Sequence, residues 1–209
     1  MTNIEFKAFP KIARLNREMI VTEKIDGTNA QIHIDRGADG QWTLKAGSRN
    51  RWITEKDDNY GFARWVHENM IELAELGVGR HYGEWWGAGI NRGYGLSEKR
   101  FSLFNVNRWC RPGTTPIQIP DANPLAPKTY QQIPPGCCDV VPTLYRGPFN
   151  TDAIDNIVEI LAIDGSIASP GFTDPEGVVV LHVHGNYLFK VTRENDGVPK
   201  STLTIHAEK

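Results

Sequence analysis

The sequence predicts a single α+β domain with antiparallel sheets flanked by helices. Three observations lead there. Segments of period two bracket two segments of helical period, in the order strands, helix, strands, helix, strands. Turn signals at Asp26-Gly27 and Gly185-Asn186 each stand between two strand-like runs, and the order of elements does not alternate as in a doubly wound sheet. The 209 residues are 40% hydrophobic and 23% charged, a globular balance with enough chain for one core of ordinary size.

Residues 18–35 read as strand, tight turn and strand. Ile32 and Ile34 alternate with Gln31, His33 and Asp35, the pattern of a half-buried strand. Residues 42–47 form another short strand. Across residues 57–76, Phe62, Trp65, Val66, Asn69, Met70, Leu73 and Leu76 recur at three- and four-residue steps. That predicts one amphipathic helix, the longest of the chain, stopping at Gly77. Residues 80–89 and 99–109 read as two strands joined by a glycine-rich loop. The stretch 108–150 holds 9 of the 13 prolines and all three cysteines, so it reads as loop with short edge strands. A helix follows at 151–162, with Thr151 as its N-cap and Ile154, Ile157, Val158 and Leu161 on one face. Strands at 176–183 and 187–192 come next, then a polar tail with a last strand at 201–206.

Lys+Arg total 23 against Asp+Glu 25, a net charge of -2. That balance argues against a nucleic-acid coat protein or a polybasic membrane binder, while leaving room for a local basic groove. No apolar run spans a bilayer and the N-terminus has no signal-peptide pattern, so no membrane is expected and a cytoplasmic setting is. Cys110, Cys137 and Cys138 make neither a disulfide framework nor a Cys-x-x-Cys zinc spacing. His182 and His184 share a strand face, as ordinary surface residues or near a cleft. The six tryptophans are expected mostly in the core or a pocket wall.

Four segments carry chemistry. In Lys24-Ile25-Asp26-Gly27-Thr28-Asn29 a lysine ends a strand and a turn follows at once, with Gly27 letting the backbone bend. Such an amine is a nucleophile once it is unprotonated; the same residues also fit a surface lysine before an ordinary turn. In Tyr82-Gly83-Glu84-Trp85-Trp86-Gly87, a carboxylate among aromatics suits hydroxyl recognition beside a flat ligand, or a core strand with Glu84 in solvent. Phe101 and Phe104 fall on opposite strand faces, so one packs in the core and the other lines a pocket, or both are core. Glu176 opens a strand and Lys190 lies near the end of the next. A hairpin brings them to one cleft, suited to a divalent metal and a phosphate, or leaves them as a surface ion pair.

In this order, with Ser48-Arg49 between the first and second, these segments resemble the motifs of the covalent nucleotidyltransferases, the superfamily of ligases and capping enzymes. The closer likeness is to ATP-dependent RNA ligases of the phage nick-sealing type. Gly83 to Ile90, the aromatic strand ending Phe104-Asn105-Val106, and Val141 to Phe149 match that family's spacing, and the likeness spans about residues 10–195. The resemblance implies an adenylylation domain of ATP-grasp-like type over 1–209, without a separate C-terminal nucleic-acid-binding domain. It implies that Lys24 attacks the α-phosphate of ATP and holds AMP, with Glu23 and Asn29 beside the nucleotide. Arg49 would sit near the ribose or an incoming phosphate, Glu84 on ribose hydroxyls and Phe104 on adenine. Glu176, with Asp26, would hold Mg²⁺ or Mn²⁺, and Lys190 would contact the α-phosphate. The implied partner is nucleic acid, RNA ends or nicks before DNA, with a separate strand-binding partner in reserve.

One position departs from the family pattern. Its last motif has Lys-x-Lys, and Thr192 stands at the second lysine. Arg193 as a substitute would point to the opposite strand face. The alternatives left open are a DNA ligase, a capping-type guanylyltransferase, and a degenerate module that holds a nucleotide or RNA end.

Overall fold

The computed structural model describes residues 5–12, 14–119, 127–194, 196 and 197. Strand β1 (Glu18–Lys24) is buried on both faces from Met19 to Glu23, although only Met19, Ile20 and Val21 are apolar. It lies inside a four-stranded sheet between β9 (Thr143–Pro148) and β10 (Gly177–His182), and β11 (Tyr187–Thr192) forms that sheet's outer edge. The second sheet orders β3 (Trp42–Ser48), β2 (Thr28–Arg36), β4 (Gly79–Gly87), β5 (Lys99–Leu103) and β8 (Cys138–Val140). β6 (Gln118–Ile119) and β7 (Thr129–Tyr130) pair with each other. The expected α+β class holds, with one exception to antiparallel pairing. β5 and β8 run parallel, because the long proline-rich connection between them acts as a crossover.

Met19 and Val21 point from β1 toward helix α3 (Thr151–Asp164) and pack with Ile154, Leu161, Val178 and Val180. Ile20 points the other way, into the larger core shared by the two sheets. On the outer side of the second sheet, Phe62, Trp65, Trp85 and Phe101 form an aromatic cluster with ring centroids 5.1–5.6 Å apart.

The helices depart from expectation in instructive ways. The period over 57–76 is not one helix. Asp58 accepts from the backbone N–H groups of Ala63 (2.8 Å) and Arg64 (3.1 Å), and Gly61 is left-handed, so α1 (Phe62–Glu68) starts five residues late. Asn69 Nδ2 donates to the Trp65 carbonyl at 2.8 Å, competing with the helix ladder, and α1 ends there before the short α2 (Met70–Leu73). α3 is therefore the longest helix among the described residues. Its N-cap is Asn150, not Thr151: Oδ1 accepts from Asp152 N at 2.9 Å and Ala153 N at 3.3 Å. The second strand of the glycine-rich pair is shorter than expected and stops at Leu103. His182 is buried at the end of β10, where its Nε2 meets Leu15 O at 2.9 Å, and His184 lies beyond the strand. Trp42 and Trp52 are exposed rather than walled in. The expected strand at 201–206 lies outside the described residues. No helix among the described residues is long and apolar enough to cross a membrane.

Candidate active site

Lys24 stands at the last position of β1 and faces the cleft between the sheets. Across the ladder it pairs with Gly177, and Gly177 with Thr192. A Cβ at Gly177 would lie 2.2 Å from Val191 O at φ +147°, so glycine is required where three strands draw together. The carboxylate of Glu176 comes just before that position and is buried. Its Oε2 accepts a hydrogen bond from Lys24 Nζ as an ion pair.

The turn after Lys24 is held by the second sheet. Glu84 is 7% exposed; its Oε1 accepts from Gly27 N at 3.1 Å and its Oε2 from Asn29 Nδ2 at 2.9 Å. Burial pushes the Glu84 carboxyl up to about 7, against the opposing pull of Asn29, Lys24 and the Gly27 N–H. Gly27 serves by close approach rather than by a left-handed bend: a Cβ there would lie 2.5 Å from Trp85 O and 2.7 Å from Trp86 Cβ. Any side chain would push the turn off β4.

The remaining predicted residues fall in three places. Lys190 pairs with Val179, which pairs with Thr22, so it shares the cleft face of the sheet with Lys24, one row away, and is exposed. Phe104 follows β5 directly and is 40% exposed, while Phe101 is fully buried, so only one of the two phenylalanines lies in the core. Arg49 is exposed just past β3, at the end of the sheet that carries Asn29. Glu23 points away from Lys24. Its Oε1 accepts from Ser166 Oγ at 2.5 Å, and its Oε2 from Ile167 N at 2.9 Å and Ala168 N at 2.8 Å, so it anchors the loop after α3. Burial raises its pKa against those three bonds. Asp26 is engaged by Asn91 Nδ2 (3.0 Å) and Arg92 Nε (3.2 Å), and its N–H donates to Tyr94 Oη at 2.8 Å.

Arg92 and Asp174 belong to none of the four segments singled out by residue type and spacing. Arg92 bridges Asp26 to Asp174, and Arg193 reaches Asp174 at 3.2 Å. Position was the available signal: Arg92 sits in the glycine-rich loop after β4, and Asp174 two residues before Glu176. Arg193 is thus committed to Asp174. Thr192 Oγ1 donates to Glu194 O at 2.9 Å. Hence the last motif presents Lys190 to the cleft face without a second cation from these two positions.

Among the described residues no group of three or more His, Cys, Asp or Glu side chains is arranged to hold a metal. The three cysteines are free thiols. Glu176 is a hard oxygen donor in the cleft, and Mg²⁺ or Mn²⁺ commonly takes one or two carboxylates and fills its other positions with water and phosphate oxygens. The donor set fits such an ion on a bound nucleotide.

A search of curated proteins finds no match. Among solved structures the chain is similar to Naegleria gruberi RNA ligase. A variant of that enzyme with ATP and Mn gives TM-score 0.54 at 17% identity, over 92% of this chain and 53% of that one. A variant with AMP and Mn gives 0.54 at 16%, over 93% and 53%. The form with PPi gives 0.52 at 18%, over 93% and 53%. At these identities the likeness is one of fold, and this chain spans about half the length of those structures. The RNA ligase family model matches residues 17–192, most of the sequence, and so the chain belongs to the RNA ligase family.

Proposed function

We propose that the chain is an ATP-dependent RNA ligase core that adenylylates itself at Lys24 and joins a 5′-phosphate to a 3′-hydroxyl. One observation carries this: the Nζ of a lysine ending a cleft strand is hydrogen-bonded to a buried carboxylate, Glu176, while the turn behind it is clamped by Glu84. In the first step the Lys24 proton passes to Glu176, and Nζ attacks the α-phosphorus. The N–P bond forms as the bond to the bridging oxygen breaks, and pyrophosphate leaves with that electron pair. Lys190 faces the same cleft and stabilises charge on the phosphates; Phe104 offers an exposed ring to adenine. In this reading Glu84 and Asn29, hydrogen-bonded to each other, take the ribose hydroxyls. A divalent ion carried on the ATP phosphates, beside the Glu176 carboxylate, would offset their charge. Next, an oxygen of an RNA 5′-phosphate attacks the same phosphorus, the N–P bond breaks, and Lys24 leaves as the amine, taking back its proton from Glu176. Finally the 3′-hydroxyl attacks the 5′-phosphorus, its proton passes to solvent, and the bond to AMP breaks as AMP leaves. Positioning supplies most of this catalysis, as is usual for phosphoryl transfer.

Incubation with ATP and Mg²⁺ or Mn²⁺ is expected to add the mass of one AMP to the intact protein. Lys24→Ala abolishes the adduct. A wild-type chain that never gains AMP sinks the reading. A second reading, a module that binds ATP without turnover, is favoured by Thr192 and by the commitment of Arg193 to Asp174. Tight ATP binding with no covalent product selects it.

A further inference from the structure

Beyond the cleft, the sheet face that carries Asn29 and Glu84 continues. Alternate residues share it: Gln31 and His33 on β2, Tyr82 and Arg80 opposite them on β4, and Lys45 opposite His33 on β3. Trp52 is folded onto this face from the loop after β3. Its backbone bridges to Gly47, and Ser48 N donates to Arg51 O at 2.8 Å to fix the loop. A Cβ at Gly47 would stand 2.8 Å from Gln31 Cγ and 3.1 Å from the Trp52 ring, so glycine leaves the indole its place.

The Trp52 indole lies 6.2 Å from the His33 ring and 5.5 Å from the Arg80 guanidinium. It is 46% exposed, and Tyr82 is 51% exposed. Tyr82 is joined to the nucleotide end of the face, because Phe104 N donates to Tyr82 O at 3.0 Å. Under these rings Gln31 Oε1 and His33 Nδ1 are buried without a hydrogen-bond partner among the described residues.

We infer that this face is a stacking platform for a single-stranded segment of RNA whose end lies in the cleft. The inference rests on the ligase reading, since that reading puts an RNA end beside Lys24. Exposed aromatic faces take bases with little regard to sequence, and cations between them meet the phosphates. Trp52 and Tyr82 supply the first, Arg80 and Lys45 the second. On β2 the acid of the same parity, Asp35, comes only past His33, so charge favours a polyanion where the rings are. Continuity with the pocket through Phe104 and Tyr82 selects a strand that enters the cleft over other polyanions.

The test is fluorescence anisotropy of the full chain with a short labelled single-stranded RNA ending in a 5′-hydroxyl, which cannot accept AMP. Trp52→Ala and Tyr82→Ala are each expected to weaken binding about tenfold. Arg80→Ala is expected to weaken it and to lower the salt slope by about one. Self-adenylylation with ATP, which needs no strand, stays at the wild-type level in all three. Wild-type RNA affinity in all three overturns the inference. So does loss of self-association in these variants with RNA binding intact, which assigns the face to a second copy. Should Trp52→Ala fail to fold, the exposed Arg80→Ala and Lys45→Ala decide the matter alone. Failure of the ligase reading is read separately, as absence of the AMP adduct in the wild-type chain.

Discussion

Glu84 shapes the site through one side chain. Its oxygens hold Gly27 and Asn29, and so fix the turn that follows Lys24; reading of ribose hydroxyls is the role proposed for it. Its pKa is raised from 4.5 to about 7 by burial. A raised carboxyl pKa means that the folded state binds more protons than the unfolded state between those values. The stabilisation is fully present below about 4.5 and lost as pH rises through about 7. The apoprotein is therefore expected to lose about 3 kcal/mol between pH 4.5 and 8 from this group, at about 1.4 kcal/mol per unit. Denaturant titrations across that range, compared with Glu84→Gln, check it: the glutamine variant should show a flatter profile. Equal slopes in the two proteins would refute the assignment. The type and neighbourhood of Glu84 were legible in the sequence, but not its burial. An alternating strand shows which residues share a face, and only the second sheet's packing decides that this face is closed at Glu84 and open at Tyr82.

At the scale of elements, side-chain caps decide boundaries that periodicity leaves blurred. The apolar spacing over 57–76 was real, and Phe62, Val66, Leu73 and Leu76 are all buried. The spacing could not reveal that Asp58 and Asn69 would bind backbone groups and cut the helix at both ends. The same chemistry sets the start of α3. Removing its cap with Asn150→Ala is expected to cost about 1 kcal/mol, within the usual range for such caps. Thermal unfolding should show a lower Tm with AMP-adduct formation retained. An unchanged Tm would mean that the cap bonds are replaced by water at no cost. Thr151→Ala, at the position the sequence suggested, should change little.

At the scale of the molecule, the cleft exists because two sheets are tied together at its rim. Arg92 joins the Lys24 turn to Asp174, Arg193 joins the end of β11 to the same carboxylate, and Ser169 Oγ donates to Tyr94 O at 2.9 Å. Asp174 is largely exposed, so these pairs contribute little to global stability. They bear on alignment, where displacement by about 1 Å can cost about a hundredfold in rate. Asp174→Ala is therefore expected to slow adduct formation about tenfold while moving Tm little. A large loss of Tm with an unchanged rate would show that the clasp is structural. From the chain alone came the α+β class, the β10–β11 hairpin, the motif order and the family likeness, because each depends on residue type and short spacing; that the strands on either side of Asp26-Gly27 part into different sheets did not show there. Tertiary structure decided that Glu23 turns to the loop after α3, that Asp26 joins the clasp, and that Lys24 meets Glu176 152 positions away. Those outcomes depend on which strands become neighbours and which faces are covered, and pairing across such distances leaves no mark in local periodicity.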